Sequence, residues 1–305
     1  MAFVDTDPRG RLKGLAGTPT NGEMGGLDFA NFYEAEPEIH TGNEKTWLTR
    51  GQSFVVAYSI LDDGAVLRRD DQPDEYVILL PDDGVAAKVT SGTNTYHLPP
   101  RSLVIVPPGP SEVKLETPGR IVRIFSALAT DLAEQSVNAD SYRSPKPNVA
   151  PFEAWPEPTD GFRVRIYSLD VEPQPGRFGR IWRSSNLMIN FSEPRPGPRD
   201  VTKMSPHVHE DFEQGSLVLA GSFIHHVRWP WGTDLRFWRQ DEHAICAGPS
   251  LAVIPPKSIH TSQQVSQGIN QLVDIFAPPR FDFSEVDGWV LNADEYPMPA
   301  RGDDD

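Results

Sequence analysis

Cysteine is almost missing from this chain. Cys246 stands alone among 305 residues, so no intramolecular disulfide can form. Its setting, Ala-Ile-Cys-Ala-Gly, reads as a small core residue. Long apolar runs are missing too. No stretch approaches the roughly 20 residues of a membrane-spanning helix, and the opening Met-Ala-Phe-Val-Asp-Thr lacks the basic-then-apolar pattern of a secretion signal. The expected location is cytoplasmic. Positive charge is scarce: 28 Lys and Arg face 43 Asp and Glu, a net charge of -15. That argues against a nucleic-acid or anionic-membrane surface, both of which need basic patches, and leaves a small-molecule substrate as the expected partner. Helical periodicity is scarce as well; Ala-Thr-Asp-Leu-Ala-Glu-Gln-Ser-Val, 129–137, is the one segment that reads as a short helix.

What the chain does have is 30 prolines and 24 glycines bounding short apolar runs. Such runs, "SFVVAYSIL", "SLVIVPP" and "SLAVIPP" among them, predict an all-β protein of short strands. The strands come twice. "DEYVILLPDDG" (74–84) parallels "EQGSLVLAGSF" (213–223), "SLVIVPPGPSE" (102–112) parallels "SLAVIPPKSIH" (250–260), and "IVRIFSAL" (121–128) parallels "LVDIFAPP" (272–279). The offset grows from 139 to 148 to 151 residues, as small loop insertions would make it. Two tandem copies of one β unit follow. The expected division is an N-terminal arm (1–45), a first β unit (46–137), a proline-rich linker (138–160), a second β unit (161–280) and a tail (281–305). The arms are expected to wrap the other copy or a second chain, as in a homodimer.

The second copy carries the chemistry. His207 and His209, two apart on a strand, point to one face, and His260 comes from a neighbouring strand. Three convergent imidazoles suit a transition metal and leave coordination positions open. One chance histidine explains nothing, but this trio is hard to assign to packing.

These residues resemble the cupin motifs. The first, commonly G-x5-H-x-H-x3,4-E-x6-G, is matched by His207-x-His209, then Gln214, then six residues, then Gly221. The second, commonly G-x5-P-x-G-x2-H, is matched by Gly248, Pro255, Lys257 and His260, with one extra spacer residue and lysine in place of glycine. The resemblance implies a bicupin: two tandem double-stranded β-helix barrels of jelly-roll type. It also implies one divalent transition metal ion (Fe, Mn, Zn or Ni) in the C-terminal barrel. The fourth ligand is Gln214 by the register counted from Gly221, or Glu213 by the shorter spacer.

In the first copy Gln214 aligns with Glu75, His260 with Glu112, and the paired histidines with Arg68 and Asp70. No imidazole remains, so this copy is expected to be without metal; the alternative is a carboxylate site built on Asp70, Glu75 and Glu112. Around the second site, Glu213, Asp211 and Lys257 are candidate proton carriers. Arg180, Trp182, His226, Arg236 and Trp238 are candidates for holding an anionic substrate, since an arginine fork suits a carboxylate. A His3Gln set is uncharged, so the metal keeps its full charge for Lewis-acid work. Isomerisation, ring opening or elimination on an oxygen-rich carboxylate is the expected chemistry, that of a lyase or isomerase. An iron dioxygenase acting on a small aromatic or diketone is the alternative, and a non-catalytic small-molecule-binding cupin a further one.

Overall fold

The computed structural model describes residues 24–210, 212–232 and 234–300. Strands dominate, and the expected short helix forms at Thr130–Gln135. Among the described residues no helix is long and apolar enough to cross a membrane. The chain divides into two compact units that do not follow sequence order. One comprises residues 24–35, 142–151 and 193–274; the other comprises 36–141, 152–192 and 275–300.

The larger unit contains the whole first β repeat. Seven strands run in the order Arg165–Ser168, Ser102–Val106, Tyr76–Leu80, Gly119–Ser126, Phe54–Leu61, Glu44–Arg50 and Ile39–His40. Four more form a second sheet, Val66–Arg69, Ser111–Leu115, Ala87–Ser91 and Asn94–Leu98. Between them lies a core of Leu48, Val55, Ala57, Ile78, Val104, Val113 and Phe125, all buried. These residues alternate along their strands, as a two-residue period requires of sheets that pack one face on a core.

The smaller unit holds the histidine motifs. Asp28–Asn31, from the expected N-terminal arm, pairs antiparallel with Ser250–Ile254, which pairs with Glu213–Ala220. Ser222–Arg228 lies between Glu242–Ala247 and Ile259–Gln264. Within the larger unit Arg165–Ser168, downstream of the proline-rich stretch, adds itself to Ser102–Val106 in the same manner. Each repeat thus gains an edge strand from chain outside its core, which covers backbone groups that an open edge would expose. Cys246 is buried, and burial pushes its thiol up to about 11.

The duplication reaches further than the strands. Asn138-Ala-Asp-Ser-Tyr142 and Asn292-Ala-Asp-Glu-Tyr296 repeat one pattern. The Asn138 side chain accepts from Arg50 N and donates to Arg50 O; Asn292 does the same with Arg183. Tyr142 then donates to Glu213, and Tyr296 to Glu75. The two copies therefore share an asparagine clamp and a tyrosine–glutamate bond.

Gly221 fixes the end of the Glu213–Ala220 strand. Its φ is 79°, and a Cβ there would lie 2.7 Å from the Ile269 carbonyl oxygen. Both the left-handed backbone and the clash penalise any side chain. Gly221→Ala is expected to destabilise the protein by about 2 kcal/mol or more, lowering Tm by roughly 4–8 °C. Thermal unfolding of the purified variant checks this.

Candidate metal centre

The three histidines lie close together, although His207 and His209 are not on the expected strand: His207 forms only an isolated bridge and His209 lies outside any strand. His207 and His260 form an isolated antiparallel bridge, with N–H to O distances of 3.1 and 2.9 Å in the two directions. Their ring centres are 4.4 Å apart, and those of His209 and His260 are 4.8 Å apart. An imidazole bound at about 2 Å has its ring centre a little over ~3 Å from the metal, so rings at right angles lie roughly 4.5 Å apart. The spacing therefore suits a shared ion. As the side chains stand, no group of three or more His, Cys, Asp and Glu among the described residues forms a finished metal cage.

The hydrogen bonds supply the second part of the fit. His207 Nδ1 lies 3.0 Å from Ser205 O, and His260 Nδ1 lies 3.1 Å from Ser258 O. A carbonyl only accepts, so each Nδ1 carries the proton and each Nε2 presents its lone pair. Metal-binding imidazoles are oriented in this way. His209 is buried and stacks on Phe212, ring centres 4.4 Å apart at 16°. His207 is exposed, so the group is open on that side.

Gln214 and Glu213 take opposite faces of their strand. Gln214 Nε2 donates to Ser216 Oγ at 3.0 Å and to Asp274 Oδ1 at 3.1 Å. With the amide nitrogen held there, its oxygen is the atom left for a cation. Glu213 is buried and accepts from Tyr142. Glu75 accepts from Tyr296 in the copy without imidazoles, so the tyrosine–glutamate bond belongs to the architecture of both copies. Lys257 stands at the turn position where the second motif commonly has glycine, with φ 65°, and its N–H donates to His209 O at 2.7 Å. Its turn thereby ties the two motifs together at a left-handed residue that a glycine would adopt without strain. Asp211 lies outside the described residues.

The substrate candidates are spread out. Arg180 and Trp182 are buried in the larger unit; Arg180 donates to Leu169 O and lies over the Phe191 ring. Arg236 and Trp238 do not lie on a strand, because Leu235–Phe237 is a 3-10 turn. Arg236 pairs with Asp234 in solvent, while Trp238 stacks on Trp231 with ring centres 4.5 Å apart. His226 lies on the side of its strand away from His260, bonded to His243 and Gln263.

His225, its neighbour, is the inward residue of the pair. It shares a face with Val227, the register partner of His260. It is fully buried, its Nδ1 is 2.9 Å from Ser262 Oγ, and its Nε2 is enclosed without a hydrogen-bond partner among the described residues. The alternating burial of Ser222–Arg228 was the only signal, and two adjacent histidines leave the phase of that alternation undecided.

The alignment of the first copy also shifts by one residue. Gln214 pairs with Ile254, and Tyr76 pairs with Val106, the match of Ile254. Tyr76, not Glu75, is thus the counterpart of Gln214. Glu112 faces outward against Arg68 at 2.9 Å; Ser111 is the inward residue and bonds to Tyr76. A slip of one exchanges the faces of a strand.

No family model matches the chain, and no curated protein does. Solved structures do. An oxalate decarboxylase from Lactobacillus farciminis, as its formate complex, is 14% identical with a TM-score of 0.55, covering 87% of this chain and 89% of that one. AerE from Microcystis aeruginosa is 11% identical with a TM-score of 0.54, covering 84% and 99%. An oxalate decarboxylase variant from Bacillus subtilis is 12% identical with a TM-score of 0.54, covering 92% and 85%. The fold is a bicupin. At such identities the likeness extends to the fold alone, and activity has to be argued from the site.

Burial holds His225 down at about 4, aided by nearby His226. Since the folded value lies below the unfolded one near 6.5, the neutral ring favours folding above that pH. The contribution is lost as pH falls from about 6.5 to about 4, up to roughly 3 kcal/mol. His225→Asn is expected to flatten the decline of Tm between pH 7 and pH 4.5; an unchanged pH profile in the variant contradicts the assignment.

Proposed function

We propose that this bicupin is a metal-dependent enzyme acting on a small, oxygen-rich, carboxylate-bearing substrate. The observation that carries the reading is the pair of Nδ1–H to carbonyl bonds at His207 and His260, which turns both Nε2 atoms into donors beside His209. Gln214 Oε1 would complete the set. A divalent metal held there would supply Lewis-acid chemistry toward a substrate carbonyl or hydroxyl.

The chain's own residues supply the rest. His225, neutral at physiological pH, offers a hydrogen bond to a substrate oxygen from inside the same unit. Lys257, on the turn that carries His260, supplies a cation for the carboxylate. Solved structures titled as oxalate decarboxylases share the fold and act on a small carboxylate, which supports the substrate class. Isomerisation, ring opening or elimination remains the proposed reaction type. The Asp274 carboxylate lies one hydrogen bond behind Gln214. The metal's charge is thus partly answered at a second remove, while every proposed ligand stays neutral.

Purified full-length protein is expected to hold close to one divalent metal per chain. His207→Ala/His209→Ala should lose it, and Gln214→Ala should weaken binding less than either histidine loss, since an amide oxygen is a poorer donor than imidazole. A stoichiometry near two, or metal retained by the double variant, overturns the assignment. Activity on candidate carboxylates is expected to persist without oxygen and after exchange to zinc or nickel. Activity that stops anaerobically and returns only with ferrous iron and oxygen makes the enzyme a dioxygenase instead.

A further inference from the structure

The first copy has no imidazole set, yet its interior holds an unusual charge. Arg123 sits on Gly119–Ser126 between Ile121 and Phe125, and its register partners are Ala57 and Ile78. All four neighbours belong to the hydrophobic core. Arg123 itself is 4% exposed. It makes no hydrogen bond or ion pair among the described residues, and its Nε is enclosed without a partner. Removing a guanidinium from water without a counter-charge costs several kcal/mol.

The groups around it do not answer that charge. Arg69 lies over the same Phe125 ring, 5.4 Å from its centre against 5.7 Å for Arg123. Arg69 has its own partners, Asp131 at 2.5 Å and Gln72 at 2.9 Å. Glu44 attracts Arg123 at a distance but accepts from Thr46 instead. Burial pushes the Arg123 guanidinium down, with Tyr76 and Glu44 opposing and Arg69 adding to the fall. Beside it, Tyr76 stacks on Phe125 at 4.9 Å and shares a hydrogen bond of 2.9 Å with Ser111.

The repeat sharpens the contrast. Arg123 aligns with Asp274, Tyr76 with Gln214, and Ser111 with His260. Where the second copy keeps a carboxylate behind a cation-binding group, the first keeps a cation beside two hydroxyls. We propose that the interior of the first copy is a binding site for a small organic carboxylate, held by the Arg123 fork with Tyr76 and Ser111 as hydroxyl partners. A planar carboxylate matches two guanidinium N–H groups at once, and the apolar part of such a ligand packs on Phe125. The site is separate from the proposed metal centre and does not depend on it.

The test uses full-length protein, acetate, oxalate, succinate and benzoate at constant ionic strength, and chloride as control. Thermal shift and calorimetry are read for the wild type, Arg123→Met, Arg123→Lys and His207→Ala/His209→Ala. A carboxylate should raise the Tm of the wild type and of the histidine variant, and leave Arg123→Met unmoved. Arg123→Lys, which keeps the charge but loses the fork, should bind at least tenfold more weakly. Without ligand, Arg123→Met should melt no lower than the wild type, because an unpaired buried charge has gone. Should the methionine variant fail to fold, the lysine variant carries the comparison. Binding lost in the histidine variant but kept in the Arg123 variants assigns the carboxylate to the metal centre and overturns the proposal. So does a response to chloride equal to that of the carboxylates, or no binding at all.

Discussion

The pleat of one strand, pinned at Gly221, governs the site. Side chains along Glu213–Ala220 alternate between two faces, and the left-handed glycine closes the strand against Ile269 and Asn270. With the end fixed, Gln214 and Ser216 must share one face and Glu213 the other. Gln214 thereby meets Asp274, and Glu213 meets Tyr142. A shift by a single residue would put a carboxylate where the amide stands and remove the anchor that both copies use. The neutrality of the proposed ligand set is thus a consequence of strand register.

Duplication lets the two interiors be compared position by position. The parts that hold the fold are retained: the asparagine clamps on Arg50 and Arg183, and the tyrosine hydroxyls on Glu75 and Glu213. The turn before Ser111 keeps its glycine, Gly109 at φ 98°, where the second copy places Lys257 at φ 65°. Inward-facing positions diverge instead. Tyr76 stands for Gln214, Ser111 for His260 and Arg123 for Asp274. Backbone pairing and the apolar layer tolerate these exchanges because both need only alternation and volume, whereas the chemistry of an interior follows its few polar groups.

Those polar groups also explain why each interior is expected to take a guest of a different sign. In the second copy, carbonyl oxygens orient two imidazoles, and a carboxylate orients an amide. Every one of these contacts raises the electron density offered to a cation. In the first copy a guanidinium stands unanswered beside hydroxyls. The overall charge of -15 says nothing of either, since it is carried largely by exposed side chains that salt and water screen.

By itself the sequence determined the all-β class and the duplication. Those follow from local rules: strand period, turn residues and the spacing of matched segments. It also favoured Gln214 over Glu213 in register, since the count from Gly221 needs no knowledge of the third dimension. Tertiary structure decided the rest. It placed the arm strand Asp28–Asn31 beside Ser250–Ile254, chose His225 over His226 for the interior, and moved the counterpart of His260 from Glu112 to Ser111. It turned Arg236 and Trp238 into a solvent-facing turn and buried Arg123 in an apolar layer. The physical reason is common to all of these. Which face of a strand is inside depends on the strands packed against it, and a sequence fixes the period of alternation far more firmly than its phase.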